Sequence, residues 1–266
     1  MSIVEQAHYQ TVPLQSRILE RALTFAVNNP AELSFSAYSL SVNDTFVVAR
    51  PRDSGRLANL DIFSRNAAIQ LGETLANVQL GIQQHGYGST IELLPIKNRI
   101  DPLAMIRLGA PVVPESALQL MPTKGSELNR YEPTLGMRAA SIQILARLDL
   151  VAQATGVWAQ ALAALEALPE SQTRSRAIPD LAMLGLAPES TLLAIYAEGN
   201  SLLDWLQVGQ AIARMKKVAR DQNMGVRQLN ADMTMHVRSQ VPWRHTLQFT
   251  QLQALVQVGP LDASLS

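Results

Sequence analysis

Three groups of charged side chains in this sequence have types and spacing that could do chemistry. Arg50, Arg52 and Arg56 cluster around Pro51 and Gly55, a set suited to gripping an anionic substrate. The competing reading is a solvated turn, the usual place for charged residues. Arg174 and Arg176 lie in a polar stretch between Pro169 and Pro179 and suit either a lid over a site or a plain connector. The four histidines, His8, His85, His236 and His245, have no metal-like spacing to one another or to a carboxylate. His85 falls at the end of a helical pattern, where an imidazolium suits the helix dipole. Trp205 and Trp243 could stack on an aromatic ligand, although buried packing is the commoner fate of tryptophan.

Composition narrows the chemistry further. The chain has no cysteine, which excludes disulfides, thiolate catalysis and Cys-based metal sites. Its 22 basic residues balance 22 acidic ones, so no global field draws in nucleic acid or an anionic membrane. Arginine supplies 18 of the basic residues and lysine four, a bias that a GC-rich genome also produces. No stretch approaches the roughly 18 apolar residues of a membrane span, and Met1–Pro13 lacks the apolar region of a signal peptide. A cytoplasmic protein is expected, with an apolar fraction of 47% to fill its core. There is no Walker loop, dinucleotide fingerprint after a strand, or nucleophile elbow.

Any site must be positioned by a succession of helices and strands. Arg17–Val27 reads as a helix with Leu19, Ala22, Leu23 and Ala26 on one face, stopped by Asn28-Asn29-Pro30. Ser34–Leu40 alternates weakly, Thr45–Ala49 reads as a strand, and Arg50–Gly55 as a turn. Ser64–His85 is a long helix broken by Gly86-Tyr87-Gly88, followed by a strand over Thr90–Leu94. Asp101-Pro102 has the form of a helix start, ahead of the short run Ile106–Gly109. Ala139–Leu168 reads as helix, Leu181–Leu186 as a short helix, and Thr191–Tyr196 as a strand. Ser201 caps a second long helix running to about Gln222, and Leu247–Val258 is a strand, or a helix and a strand. The fold class expected is α+β, with more helix than strand.

The two long helices look like copies. Gly72 and Gly88 are 16 residues apart, as are Gly209 and Gly225, and the pairs are offset by 137. Leu71, Leu75, Val78 and Ile82 have the spacing of Val208, Ile212, Met215 and Ala219, one helical face in each case. Thr45–Ala49 precedes the first helix as Leu192–Tyr196 precedes the second. Met105–Gly109 follows the first as Leu255–Gly259 follows the second, at an offset of 150. This is the pattern of a homodimer fused into one chain, with halves at about 15–110 and 115–260 and Ala110–Pro114 as the seam. Two unrelated amphipathic helices could also share such spacing.

The stretch from Arg65 to Leu80, followed by Gly86 and the strand ending Leu93-Leu94-Pro95, resembles the nitroreductase superfamily, and more closely its Acg-like branch of fused dimers. Asp204–Ala211 and Leu128-Asn129-Arg130 also fit that branch. The resemblance covers roughly residues 15–260. It implies an internally duplicated nitroreductase-like fold that binds FMN between its halves. The activity implied is oxidoreduction of a small molecule. The chain would be a monomeric pseudo-dimer or a further homo-oligomer, without nucleic-acid or membrane partners. Asn129 and Arg130 are the residues that the resemblance assigns to the flavin phosphate, with Lys124 as a possible second cation. The chain also departs from the family pattern. It has no Arg-Arg-Ser-type grip before Leu14, no Gln-Pro-Trp-like stretch around Asn28–Ser34, and no basic residue after Gly259. These departures imply that at least one ancestral flavin site is lost. They also leave open a degenerate, non-catalytic protein that binds flavin without turnover or serves flavin-free as a partner or scaffold.

Overall fold

The computed structural model describes residues 14–28, 37–52, 62–96, 101–112, 139–161, 191–229, 234 and 251–260. These contain four helices and eight strands: α1 (Leu14–Asn28), β1 (Tyr38–Asn43), β2 (Phe46–Pro51), α2 (Ile62–Gln84), β3 (Tyr87–Leu93), β4 (Ala104–Pro111), α3 (Ala139–Gln153), β5 (Trp158–Ala161), β6 (Thr191–Ala197), α4 (Leu202–Arg220), β7 (Met224–Gln228) and β8 (Gln251–Pro260). The protein is α+β. No described helix is long and apolar enough to cross a membrane.

The strands form two four-stranded antiparallel sheets, ordered β1-β2-β4-β3 and β5-β6-β8-β7. The first half of the sequence builds one sheet and the second half builds the other, each in the order α-β-β-α-β-β. Ile106 stands between Val47 and Ile91; Val256 stands between Leu193 and Gln228. Ile106 and Val256, which hold matching register places, are 150 residues apart, and their neighbours Ile91 and Gln228 are 137 apart. Val47, which faces Ile106, and Leu193, which faces Val256, are 146 apart, so by register Thr45–Ala49 matches Thr191–Ile195 rather than Leu192–Tyr196.

Periodicity placed the long helices correctly. Leu71, Leu75, Val78 and Ile82 on α2, and Val208, Ile212, Met215 and Ala219 on α4, are all buried. A capping box at Ser201 sets the start of α4: its side chain accepts from the Asp204 N–H, and Asp204 Oδ2 accepts from the Ser201 N–H at 2.8 Å. α2 and α4 pack along one another, with α1 against α2 and α3 against α4.

Three expectations are corrected. Asp101-Pro102 starts no helix. The Leu103 N–H bonds the Ala49 carbonyl at 2.8 Å and its carbonyl takes the Leu94 N–H at 2.9 Å, so the chain enters β4 directly. Arg50 and Pro51 belong to β2 rather than to a turn. The helix expected through Leu168 stops at Gln153, because Gly156 adopts φ +86° and its N–H caps the Gln153 carbonyl at 2.9 Å. Trp158–Ala161 then runs as β5, a strand that its alanines disguised. The expected elements at Pro169–Pro179 and Leu181–Leu186 lie outside the described residues.

Candidate functional site

The two halves meet where α2 crosses α4, and glycine makes the contact close. A Cβ added at Gly72 would lie 3.0 Å from Gly209 Cα and nearer still to the Leu206 carbonyl oxygen. One added at Gly209 would lie 2.9 Å from Gly72 Cα, 2.8 Å from Glu73 N, and nearer still to the Ile69 carbonyl oxygen. The crossing is reciprocal: each glycine faces the carbonyl three residues before the other. One turn on, Ala76 and Ala213 are buried in their turn, so each helix carries Gly-x-x-x-Ala at the crossing.

Beside the glycines sits an ion pair between the halves. Lys216 Nζ donates to Glu73 Oε2 at 2.6 Å, with the Glu73 side chain 5% exposed and that of Lys216 33%. The offset of 137 relates Glu73 to Gln210 and Gln79 to Lys216, so the corresponding pair is uncharged. Gln79 Nε2 is 3.5 Å from Ser89 Oγ, whereas the buried Gln210 Nε2 has no acceptor among the described residues. Further polar ties cross from α2. The buried Arg65 donates to the Leu252 and Gln253 carbonyls of β8. Within the second half, Gln253 Nε2 donates to the Gly199 carbonyl at 2.6 Å.

Burial sets the remaining titration. Desolvation raises the Tyr38 pKa, an effect partly offset by its hydroxyl contact with Thr74 Oγ1 at 3.4 Å. Desolvation raises that of Tyr196 strongly. It lowers the pKa of the half-buried Arg214. Among the described residues the arrangement is therefore a largely buried seam between two sheets, crossed by one ion pair and an arginine held by backbone carbonyls.

The candidates taken from the sequence fare unequally. Asn129, Arg130, Lys124, Arg56, Arg174, Arg176, Trp243, His8, His236 and His245 all lie outside the described residues. Arg50 makes an exposed ion pair with Asp101 at 3.0 Å, and Arg52 is exposed. Trp205 is a core residue, 2% exposed, with its indole N–H on Asn200 Oδ1 at 3.0 Å. His85 is exposed just past the end of α2. Among the described residues no group of three or more His, Cys, Asp or Glu side chains could hold a metal. Glu73, Lys216, Gln210 and Arg214 were not singled out from the sequence as site candidates. The available signal was their place beside Gly72 and on the helix of Gly209.

No family model matches the chain, and no curated protein matches it significantly.

Proposed function

We propose that the chain is a fused pseudo-dimer of the nitroreductase type that binds FMN between its halves and acts as an oxidoreductase on a small molecule. The observation that carries this reading is the reciprocal Gly72–Gly209 crossing between two sheets of the same strand order. Two copies of one α-β-β-α-β-β unit, related by a pseudo-twofold axis, account for both features at once. In this reading the halves at about 15–110 and 115–260 descend from a duplication. Bound FMN would supply hydride transfer at N5. The protein's part is to bind and orient the ring and exclude water.

Two cations of the described interior are committed elsewhere: Arg65 to β8 carbonyls and Lys216 to Glu73. In this reading the phosphate contact is made by Asn129 and Arg130, as the family resemblance implies. The same commitment favours a second reading, a flavin-free partner or scaffold that keeps the fold.

A flavin titration of the wild type and of Arg130→Ala separates the two. The first reading expects uptake of FMN and an affinity about tenfold to a hundredfold weaker in the variant, from the loss of a charge-assisted phosphate bond. Absence of uptake by either protein selects the second. Equal affinity in both removes Arg130 from the site.

A further inference from the structure

The seam between the halves uses the same small residues from each side, so its shape does not decide which half belongs opposite which. Gly72 and Gly209 face one another, and Ala76 and Ala213 follow one turn on. Two first halves, or two second halves, could cross as closely. The polar contacts are not interchangeable in this way. Glu73 takes the Lys216 ammonium at 2.6 Å, and the counterparts of these two residues are Gln210 and Gln79. Arg65 reaches from the first half to the Leu252 and Gln253 carbonyls of β8. Those carbonyls lie at a bulge. β6 and β8 shift register between Ile195 and Tyr196, which makes Gln253 the extra residue, whereas β2 and β4 pair evenly from Phe46 to Ala49. The counterpart of Arg65 is Leu202. The first half thus supplies the carboxylate and the arginine, and the second supplies the ammonium and the carbonyls.

We propose that these contacts make each half specific for the other and unfit to pair with its own kind, so that the chain closes on itself instead of exchanging halves with a second copy. Two first halves crossing in the observed geometry would set Glu73 against Gln79 twice. That leaves two buried carboxylates without a counter-charge and gives Arg65 no bulge to hold. Two second halves would set Gln210 against Lys216 twice, and Leu202 against the bulge carbonyls. Removing one partner from a buried pair is strongly destabilising even where the pair itself contributes little, so the penalty falls on the wrong pairings. This specificity rests on the two related halves of the reading above and not on flavin: a flavin-free chain can pass the test below, and a chain that binds FMN can fail it.

The test uses two variants of the full chain. Glu73→Lys sets two ammonium groups at the seam, and Lys216→Glu sets two carboxylates there. Each is refolded alone and in an equimolar mixture, with mass followed by light scattering and melting by circular dichroism. Each alone should melt about 5 °C or more below the wild type. In the mixture, the first half of either variant carries the charge that matches the second half of the other. The connection from 112 to 138 reaches roughly 90 Å if extended, enough to allow that exchange. The expected product is a two-chain species that melts near the wild type and that neither variant forms alone. Glu73→Lys combined with Lys216→Glu in one chain should restore the monomer and most of the lost melting temperature. Single variants that melt with the wild type would overturn the proposal, as would a mixture that holds no two-chain species. So would a combined variant as unstable as the single ones, because the fault would then lie in packing and not in charge. If the single variants do not fold alone, the mixture and the combined variant decide in the same way.

Discussion

Replacing Gly209 with alanine adds one methyl group at the point where α2 and α4 touch. The new Cβ would sit 2.8 Å from Glu73 N and 2.9 Å from Gly72 Cα, against 3.4–4 Å for ordinary contact, and nearer still to the Ile69 carbonyl. All three obstacles are backbone, so no rotamer change relieves them and the helices must move apart. Overpacking of this kind costs about 1–3 kcal/mol, and more where nothing can yield. The alanine returns about 1 kcal/mol of helix propensity. The net expectation is a loss of about 2 kcal/mol, or roughly 4–8 °C in Tm for a chain of this size. Gly72→Ala should behave alike, since its Cβ meets Gly209 Cα and the Leu206 carbonyl. Because the two share one crossing, the double variant should lose less than the sum: once the helices have separated for one methyl, the second is partly accommodated. Urea denaturation followed by circular dichroism measures all three. A midpoint unchanged or raised in either single variant, or strict additivity in the double, would refute the close-crossing argument.

Three further outcomes follow from the interior. Leu75→Ala and Ile212→Ala, both at fully buried positions, should each cost about 2–5 kcal/mol in the same denaturation experiment. Lys216→Met should destabilise by about 3 kcal/mol by stranding the buried Glu73, and adding Glu73→Gln should recover most of it, since the corresponding positions carry uncharged Gln79 and Gln210. No recovery in the double variant would count against the ion pair. Tyr38 and Tyr196 have pKa values raised by burial, so each keeps its proton in the fold after the unfolded chain has lost it. Their contribution is fully present below about pH 10 and is lost above it. Tyr196→Phe should flatten the fall in stability seen on alkaline titration, and an identical pH profile would rule out this tyrosine as a cause.

The helix faces were legible because burial on one side imposes a period of 3.6, visible at Leu71, Leu75 and Val78 and again at Val208, Ile212 and Met215. The matching glycines were legible as a repeat, but their role was not: close approach depends on which helix lies opposite, and no local pattern records that. Strand β7 went unread although adding the offset of 137 to β3 points straight at Met224–Gln228. Its Met-Gly-Val-Arg-Gln lacks the β-branched alternation that marks a strand. Strand β5 was hidden by alanines that read as helix until Gly156 reversed the chain. The Glu73–Lys216 pair joins residues 143 apart, so only the packing of α2 on α4 reveals it. Of the chemistry proposed from the sequence, Asn129 and Arg130 lie outside the described residues, while Arg50 and Trp205 have structural partners.

The central proposal is a fused pseudo-dimer that uses FMN, and the most direct test is the flavin content of the purified full chain. Its absorbance spectrum is recorded as isolated and after equilibrium dialysis against FMN, and the bound flavin is counted per chain. The account predicts a flavin spectrum and one FMN per chain, because the first half lacks a basic residue before Leu14 whereas the second keeps Asn129 and Arg130. Two FMN per chain would contradict the asymmetry, and a colourless protein that takes up none would contradict the oxidoreductase itself.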